Sequence, residues 1–268
     1  MSSTFSFSRL GKLINKQLFE NARLYTFSVL ALFGLLALIF AFYIAVGGPE
    51  YREENTWFIF LIGLFIAGTI FASMAFNMLD SKDKGIYWLG LPATHAEKLV
   101  CTIFYTTVCF TVVYCICFFI VKYLAVLFIV EYIKDKPLFS YKEMGDYSKG
   151  FGEVLPYFLY AYFALQAFYL LGAVYFSRYT FVLTTVVGAI VIFAMAYYIN
   201  RLDDAMFDKD GISWQLVSAN KYNVQEKGKY HQYSLSPGII SVLKYFLQFA
   251  WAPLFWIISW YRLKEKEM

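Results

Sequence analysis

Charge is what this chain has least of: Asp, Glu, Lys and Arg make up 16% of its 268 residues, against about 25% in an ordinary soluble domain. Sixty per cent of the residues are hydrophobic and 22% aromatic, far more apolar surface than a soluble core of this length can use. Catalytic signatures are missing too. There are two histidines, His95 and His231, and neither H-E-x-x-H nor G-x-S-x-G occurs, so zinc proteolysis and serine hydrolysis within a membrane lack their residues. The string GDYSKG at 145–150 has P-loop glycine spacing but continues Phe151-Gly152, where Lys and then Ser or Thr are required. All four cysteines, Cys101, Cys109, Cys115 and Cys117, sit in one apolar stretch. Helix geometry holds such residues too far apart for a disulfide, and they read as small packing residues. The chain is therefore expected to be no enzyme and to hold no metal or cofactor of its own, and a net charge of only +4 implies no nucleic acid.

What is present is a series of six long apolar runs, 24–46, 57–78, 99–121, 155–176, 180–199 and 242–260. Each approaches the ~20 residues a helix needs to cross the hydrocarbon core. Without water at that depth each must satisfy its own backbone, which selects the helix. The expected fold is all-α and integral to the membrane, a single permease-like domain over 1–268 with six transmembrane helices.

The first twenty residues lack the continuous apolar run of a cleavable signal. Leu10, Leu13, Ile14 and Leu18 instead recur at helical spacing among Arg9, Lys12, Lys16 and Glu20, the pattern of a helix lying in the headgroup plane. A solvated leader is the plainer alternative. Basic residues flank the first span at Arg9, Lys12, Lys16 and Arg23, whereas the short loop after it has Arg52 among Glu50, Glu53 and Glu54. That asymmetry favours a cytoplasmic N-terminus. Arg262, Lys264 and Lys266 put the C-terminus on the same side, as six crossings require.

Between the second and third spans runs DSKDKGIYWLGLPATHAEK, 80–98. Thr94 and Glu97 have capping-box spacing with Pro92 just ahead, so a helix should start at about His95. Ile86, Tyr87, Trp88 and Leu89 form an apolar-aromatic patch too short to cross. It reads as an interfacial aromatic anchor on composition alone, or as a knob for a partner. Arg178 and Tyr179 are the only polar break between spans four and five and predict a tight hairpin. The long mixed segments 131–153 and 200–241 are expected on the outer side, with room for short helices folded onto the bundle.

Within the spans ionisable residues are nearly absent. Lys122 is placed to snorkel at an outer end, and Asn77, Gln166 and Gln248 read as interhelical hydrogen-bonding groups. Gly63, Ala67, Gly68, Ala72 and Ala75 permit close backbone approach, in a subunit contact or in internal packing.

This order of parts resembles the ABC type-two permease family: the basic amphipathic leader at 9–23, the inner loop KGIYWLGLPATHAEK, the short hairpin at Arg178 and the long outer segment before the last span. Leu89 to Lys98, of the form L-x-L-P-A-T-x-x-E-K, looks like an inner-loop motif of small permease-like proteins from Bacteroidetes-type bacteria. The resemblance covers essentially the whole chain. It implies that the leader is an elbow helix and that Lys84, Gly85, Ile86, Tyr87, Trp88 and Leu89 dock on a separate ATP-binding subunit. It further implies a homodimer or a paired permease in the inner membrane of a bacterium, forming the path of an ATP-driven exporter, with ATP bound by the partner subunit. The loop is longer and more aromatic than a minimal coupling helix. The competing expectation is a polytopic assembly or anchoring subunit with no role in transport.

Overall fold

The computed structural model describes residues 5–46, 50–80, 82–132, 140–142, 147–206, 212–215, 218–223, 229–234 and 236–267. Helix α1 (Phe7–Glu20) turns at Asn21 into α2 (Ala22–Val46). After α3 (Glu53–Ser73) come a 3-10 turn (Asn77–Asp80) and the short α4 (Lys82–Leu89). Then α5 (His95–Ile103) continues through a π-helical turn (Phe104–Cys109) into α6 (Phe110–Tyr132). The remaining helices are α7 (Tyr147–Tyr175), α8 (Thr180–Met206), α9 (Pro237–Phe249) and α10 (Trp251–Glu267).

Among the described residues, five helical stretches are long and apolar enough to cross a membrane: Ala22–Val46, Asn55–Ser73, His95–Ile129, Leu155–Tyr175 and Thr180–Tyr198. The chain is thus a helical membrane protein. The run expected as a sixth continuous span, 242–260, is instead divided between α9 and α10. Pro253 has no N–H to offer the Phe249 carbonyl one turn earlier, and the helix breaks just before it. The second expected span also ends early, at Ser73 rather than 78. The Ser73 hydroxyl donates to the Ile70 carbonyl at 2.6 Å, and the Met74 N–H is divided between the Ile70 and Phe71 carbonyls, which tightens the last turn. The third is longer than expected. Its 35 residues make a rod of about 50 Å, so its ends stand clear of a hydrocarbon layer ~30 Å thick.

The long segments 131–153 and 200–241, which had room for short helices, contain the ends of the neighbouring helices and also short strands. Strand β1 (Glu50–Arg52) runs parallel to β2 (Ser140–Lys142). Strands β3 (Ile212–Gln215), β4 (Ser218–Asn223) and β5 (Lys229–Ser234) form an antiparallel sheet with Trp214 opposite Ala219 and Tyr222 opposite Tyr230. Aromatic residues recurring in short polar stretches suit a pleated ribbon better than a helix.

Burial divides the bundle. Helices α3 and α7 each have 44% of their most apolar window buried, whereas α2 and α8 have 11%, so the first pair is central and the second turns apolar faces to lipid. Lipid tails are as apolar as leucine, so close packing and polar contacts hold such helices together. Small residues supply the closeness. A Cβ at Gly63 would overlap the Tyr114 hydroxyl, one at Gly68 would strike Gln166 and Tyr162, and one at Gly172 would strike Thr184. The glycines of α3 therefore serve internal packing. The α7–α8 hairpin forms as expected, with Tyr179 at φ 53° in the turn and the Tyr169 and Thr185 hydroxyls 2.8 Å apart.

Two clusters make up the core. One, away from α1, gathers Leu36, Phe40, Phe60, Leu64, Tyr114 and Phe118. The other, at the α1 end, gathers Phe76, Leu99, Leu170, Val174 and Leu263, with Trp88 and Trp260 against it. Helices α9 and α10 run alongside α7 in the same direction. Phe249 meets Tyr160, Phe255 meets Phe168, and the Arg262 guanidinium lies 5.0 Å over the Tyr175 ring. The C-terminal helix consequently finishes at the end where α1 begins the chain.

Candidate functional site

At the α1 end the polypeptide leaves α3, makes the 3-10 turn, forms the two turns of α4 and re-enters the bundle as α5. The Gly90 N–H donates to the Ile86 carbonyl at 2.8 Å and closes α4. Thr94 then caps α5 by the expected capping box. The Glu97 N–H donates to Thr94 Oγ1 at 3.2 Å, and the Thr94 N–H donates to Glu97 Oε2 at 2.8 Å. Such a cap contributes about 1 kcal/mol and fixes the direction in which the helix starts.

The second oxygen of Glu97 reaches a part of the chain the loop sequence does not mention. Glu97 Oε1 accepts the Ser6 N–H at 2.7 Å and both Arg9 Nε and Arg9 Nη2, at 3.2 and 3.0 Å. Glu97 is fully buried while Arg9 keeps 31% of its side chain exposed, so the carboxylate is enclosed by donors and the guanidinium sits at the rim. Two further bonds fasten α1. Tyr105 donates to the Ile14 carbonyl at 2.7 Å, and the Cys101 thiol to Gln17 Oε1 at 3.2 Å. The amphipathic leader is thus clipped to the start of α5 along its length.

Of the six residues expected to dock a partner, the four whose surroundings are described do not share one face. Ile86 and Tyr87 face outward, 71% and 57% exposed. Gly85 is buried. Trp88 turns inward, its ring edge-to-face with Phe76 at 5.6 Å and 5.3 Å below the ammonium of the buried Lys98. Lys84 and Leu89 belong to α4 by backbone, and their side chains lie outside the described residues. Tyr87 also leans on α1: its hydroxyl donates to Glu20 Oε1 at 3.2 Å, and Lys16 stands 4.7 Å from its ring and 3.7 Å from Glu20. The Tyr87 hydroxyl chiefly holds the Lys16 ammonium above its ordinary pKa, burial opposes it next, and the Glu20 carboxylate adds a further upward push, so it stays cationic at any physiological pH.

Among the described residues no three His, Cys, Asp or Glu side chains converge as metal ligands, and all four cysteines are free thiols. Gln166, expected to hydrogen-bond between helices, instead donates at 2.8 Å to the Tyr162 hydroxyl one turn away on its own helix, and it is the Tyr162 hydroxyl that reaches another helix, 3.1 Å from that of Thr111. Lys122 lies 5.5 Å from the Trp57 ring. Helix α4 is thus a two-turn helix whose exposed side carries Ile86 and Tyr87, the latter also joined to α1, and whose inward Trp88 packs on Phe76 just beyond α3 and on Lys98 of α5. No family model matches this chain, and neither a curated protein nor a solved structure is found to match it.

Proposed function

We propose that this chain is the membrane-spanning subunit of an ATP-driven exporter of the ABC type-two kind. In this reading it pairs with a second permease chain to form the translocation path, and a separate ATP-binding subunit seats on Ile86 and Tyr87. The observation that supports it best is the split character of α4, which presents Ile86 and Tyr87 outward while Trp88 and Gly85 face the bundle. A push on the outer side reaches α5 through Trp88 and Lys98, and α1 through Tyr87 and Glu20. A partner that changes shape on nucleotide binding then biases the bundle between two arrangements by its differential contact with them.

The reading includes a topology. Helix α1 lies in the headgroup plane as an elbow, α9 and α10 make a broken sixth crossing beside α7, and both termini are cytoplasmic in the inner membrane of a bacterium. Termination of α10 at the α1 end agrees with an even number of crossings.

The test uses the tagged full chain expressed in its own host. A nucleotide-hydrolysing partner should co-purify, and the variant Ile86→Asp, which puts a charge on the exposed side of α4 and leaves the Tyr87–Glu20 contact in place, should lose it while keeping the wild-type melting temperature. Trp88→Ala is a poorer probe because it also removes a packed ring. Recovery of membrane partners without any ATPase would favour the anchoring role. A cysteine at position 86 labelled only from the periplasmic side would overturn the docking assignment.

A further inference from the structure

A cavity of 260 Å³ lies where the start of α2, the end of α3 and the π-helical turn meet under the last turn of α1. None of the contacts assigned to coupling fills it. Tyr25 and Tyr105 stack along one wall, ring centres 5.6 Å apart and planes within 19°. The Tyr25 oxygen accepts from Gln17 Nε2 at 3.3 Å, which leaves its own O–H to donate. Thr102 and Thr106 send their hydrogens back along the helix, to the carbonyls of Lys98 and Thr102 at 2.9 Å each, so their oxygens still accept. Asn77 adds an amide at the exposed rim. Gln17, Asn21 and Ser28 are the other polar groups of the lining, and the rest of the wall, including Leu24, Phe71 and Met74, is apolar.

Two features define the ligand. Among the described residues that line the cavity there is no Lys, Arg, Asp or Glu, so a phosphate or carboxylate entering it would lose water without gaining a counter-charge. The mouth also opens sideways. Leu24 and Met74, 53% and 50% exposed, lie at the start of α2 and just past the end of α3, where the apolar outer faces of those helices meet lipid. An occupant therefore arrives from the bilayer, carries an uncharged head of hydroxyl and carbonyl groups, and has an apolar tail to leave between the two helices.

We propose that this cavity binds the head region of a neutral glycerolipid, a diacylglycerol-like molecule from the adjoining leaflet. Its free hydroxyl and ester carbonyls meet Tyr25, Thr106 and Asn77, and its chains pass out between Leu24 and Met74. Because Gln17 and Asn21 of the α1–α2 corner form part of the wall, occupancy fastens the leader to the bundle. The π-helical turn places Tyr105 and Thr106 at this wall, and such turns recur at functional sites because the extra residue re-aims side chains. The inference is independent of the transporter reading.

The test is a melting curve of the purified full chain in mild detergent, titrated with dioctanoylglycerol, dioctanoylphosphatidylglycerol or glycerol. A saturable rise in melting temperature is expected with dioctanoylglycerol alone. Two variants should weaken that response at least tenfold in half-saturating concentration. Ser28→Trp blocks the mouth at an exposed position whose hydroxyl bonds only within its own helix, to the Leu24 carbonyl, and Asn77→Leu removes the rim amide. A response undiminished in both variants overturns the site. An equal or stronger response to the anionic lipid overturns the neutral head, and an equal response to glycerol overturns the lipid.

Discussion

The two ends of the bundle are stabilised by different means. Away from α1 the core is a set of interleaved rings. Phe60 contacts Phe118 at 4.9 Å and Tyr114 at 5.6 Å, and Phe40 contacts Phe118 at 5.6 Å. Hydrogen bonds between helices there are made by neutral hydroxyls, among them the Tyr114 hydroxyl to the Phe60 carbonyl at 2.9 Å and the Tyr162 hydroxyl with that of Thr111 at 3.1 Å. At the α1 end, side chains that membrane interiors ordinarily reject are at the centre: Glu97 is 0% exposed and Lys98 1%. Shape suffices where the neighbours are lipid and other spans. Where a leader and a loop must be held at fixed angles to a span, directional charged contacts are used, because packing of apolar groups alone sets no orientation.

The sharpest way to break this contrast is Glu97→Ala. Removing one partner of a buried ion pair costs about 3–5 kcal/mol, and the partial exposure of Arg9 puts the expected loss near the bottom of that range. Glu97→Gln keeps an acceptor for the cap and should cost about 1–2 kcal/mol. Reversible unfolding in mixed micelles measures both. Protease access to the segment before Asn21 should rise in Glu97→Ala well before global unfolding does. A loss below about 0.5 kcal/mol, the range of an ordinary surface substitution, would mean that the charged end is held by shape as well.

The opposite end is tested by Gly63→Ala, which places a methyl group against the Tyr114 hydroxyl. Overpacking of this kind costs about 1–3 kcal/mol. The ring carbon behind that hydroxyl would be 3.4 Å from the new Cβ, so Tyr114→Phe removes most of the clash. Tyr114→Phe alone should cost about 1 kcal/mol through its lost hydrogen bond, yet the double variant should be more stable than Gly63→Ala alone. Simple additivity of the two losses would show that the helices move apart freely there and that the fit is loose.

Features that depend on neighbours in sequence were legible before the structure. The Thr94–Glu97 cap, the Arg178 hairpin and the long apolar runs all follow from residues within a few turns of one another. The contact that organises the candidate site was not, because Glu97 and Arg9 are separated by 88 positions and the capping box already accounted for the carboxylate. Only its second oxygen, left without an assignment, hinted at another donor. Trp88 was grouped with Tyr87 because both are aromatic. On a helix, adjacent residues point about 100° apart, and that rotation separates the packed ring from the exposed one. Pro253 lay in plain view within an apolar run whose hydropathy concealed the break it causes. The sheet from β3 to β5 escaped notice because its polar residues mask the spacing of Trp214, Tyr222 and Tyr230.

The smallest effect concerns the turn at the α1 end, where Tyr179 holds a left-handed backbone, φ 53°, with its side chain 81% exposed. That conformation costs a residue with a Cβ about 1–2 kcal/mol, and Asn tolerates it better because its amide bonds locally. Tyr179→Asn should therefore stabilise the protein in detergent by up to about 1 kcal/mol. In bilayer discs the gain should shrink or reverse, since a tyrosine at headgroup level anchors a helix end. A loss of stability in detergent as well would show that the ring makes its contribution within the protein, and would extend the polar fastening of the α1 end to the hairpin beside it.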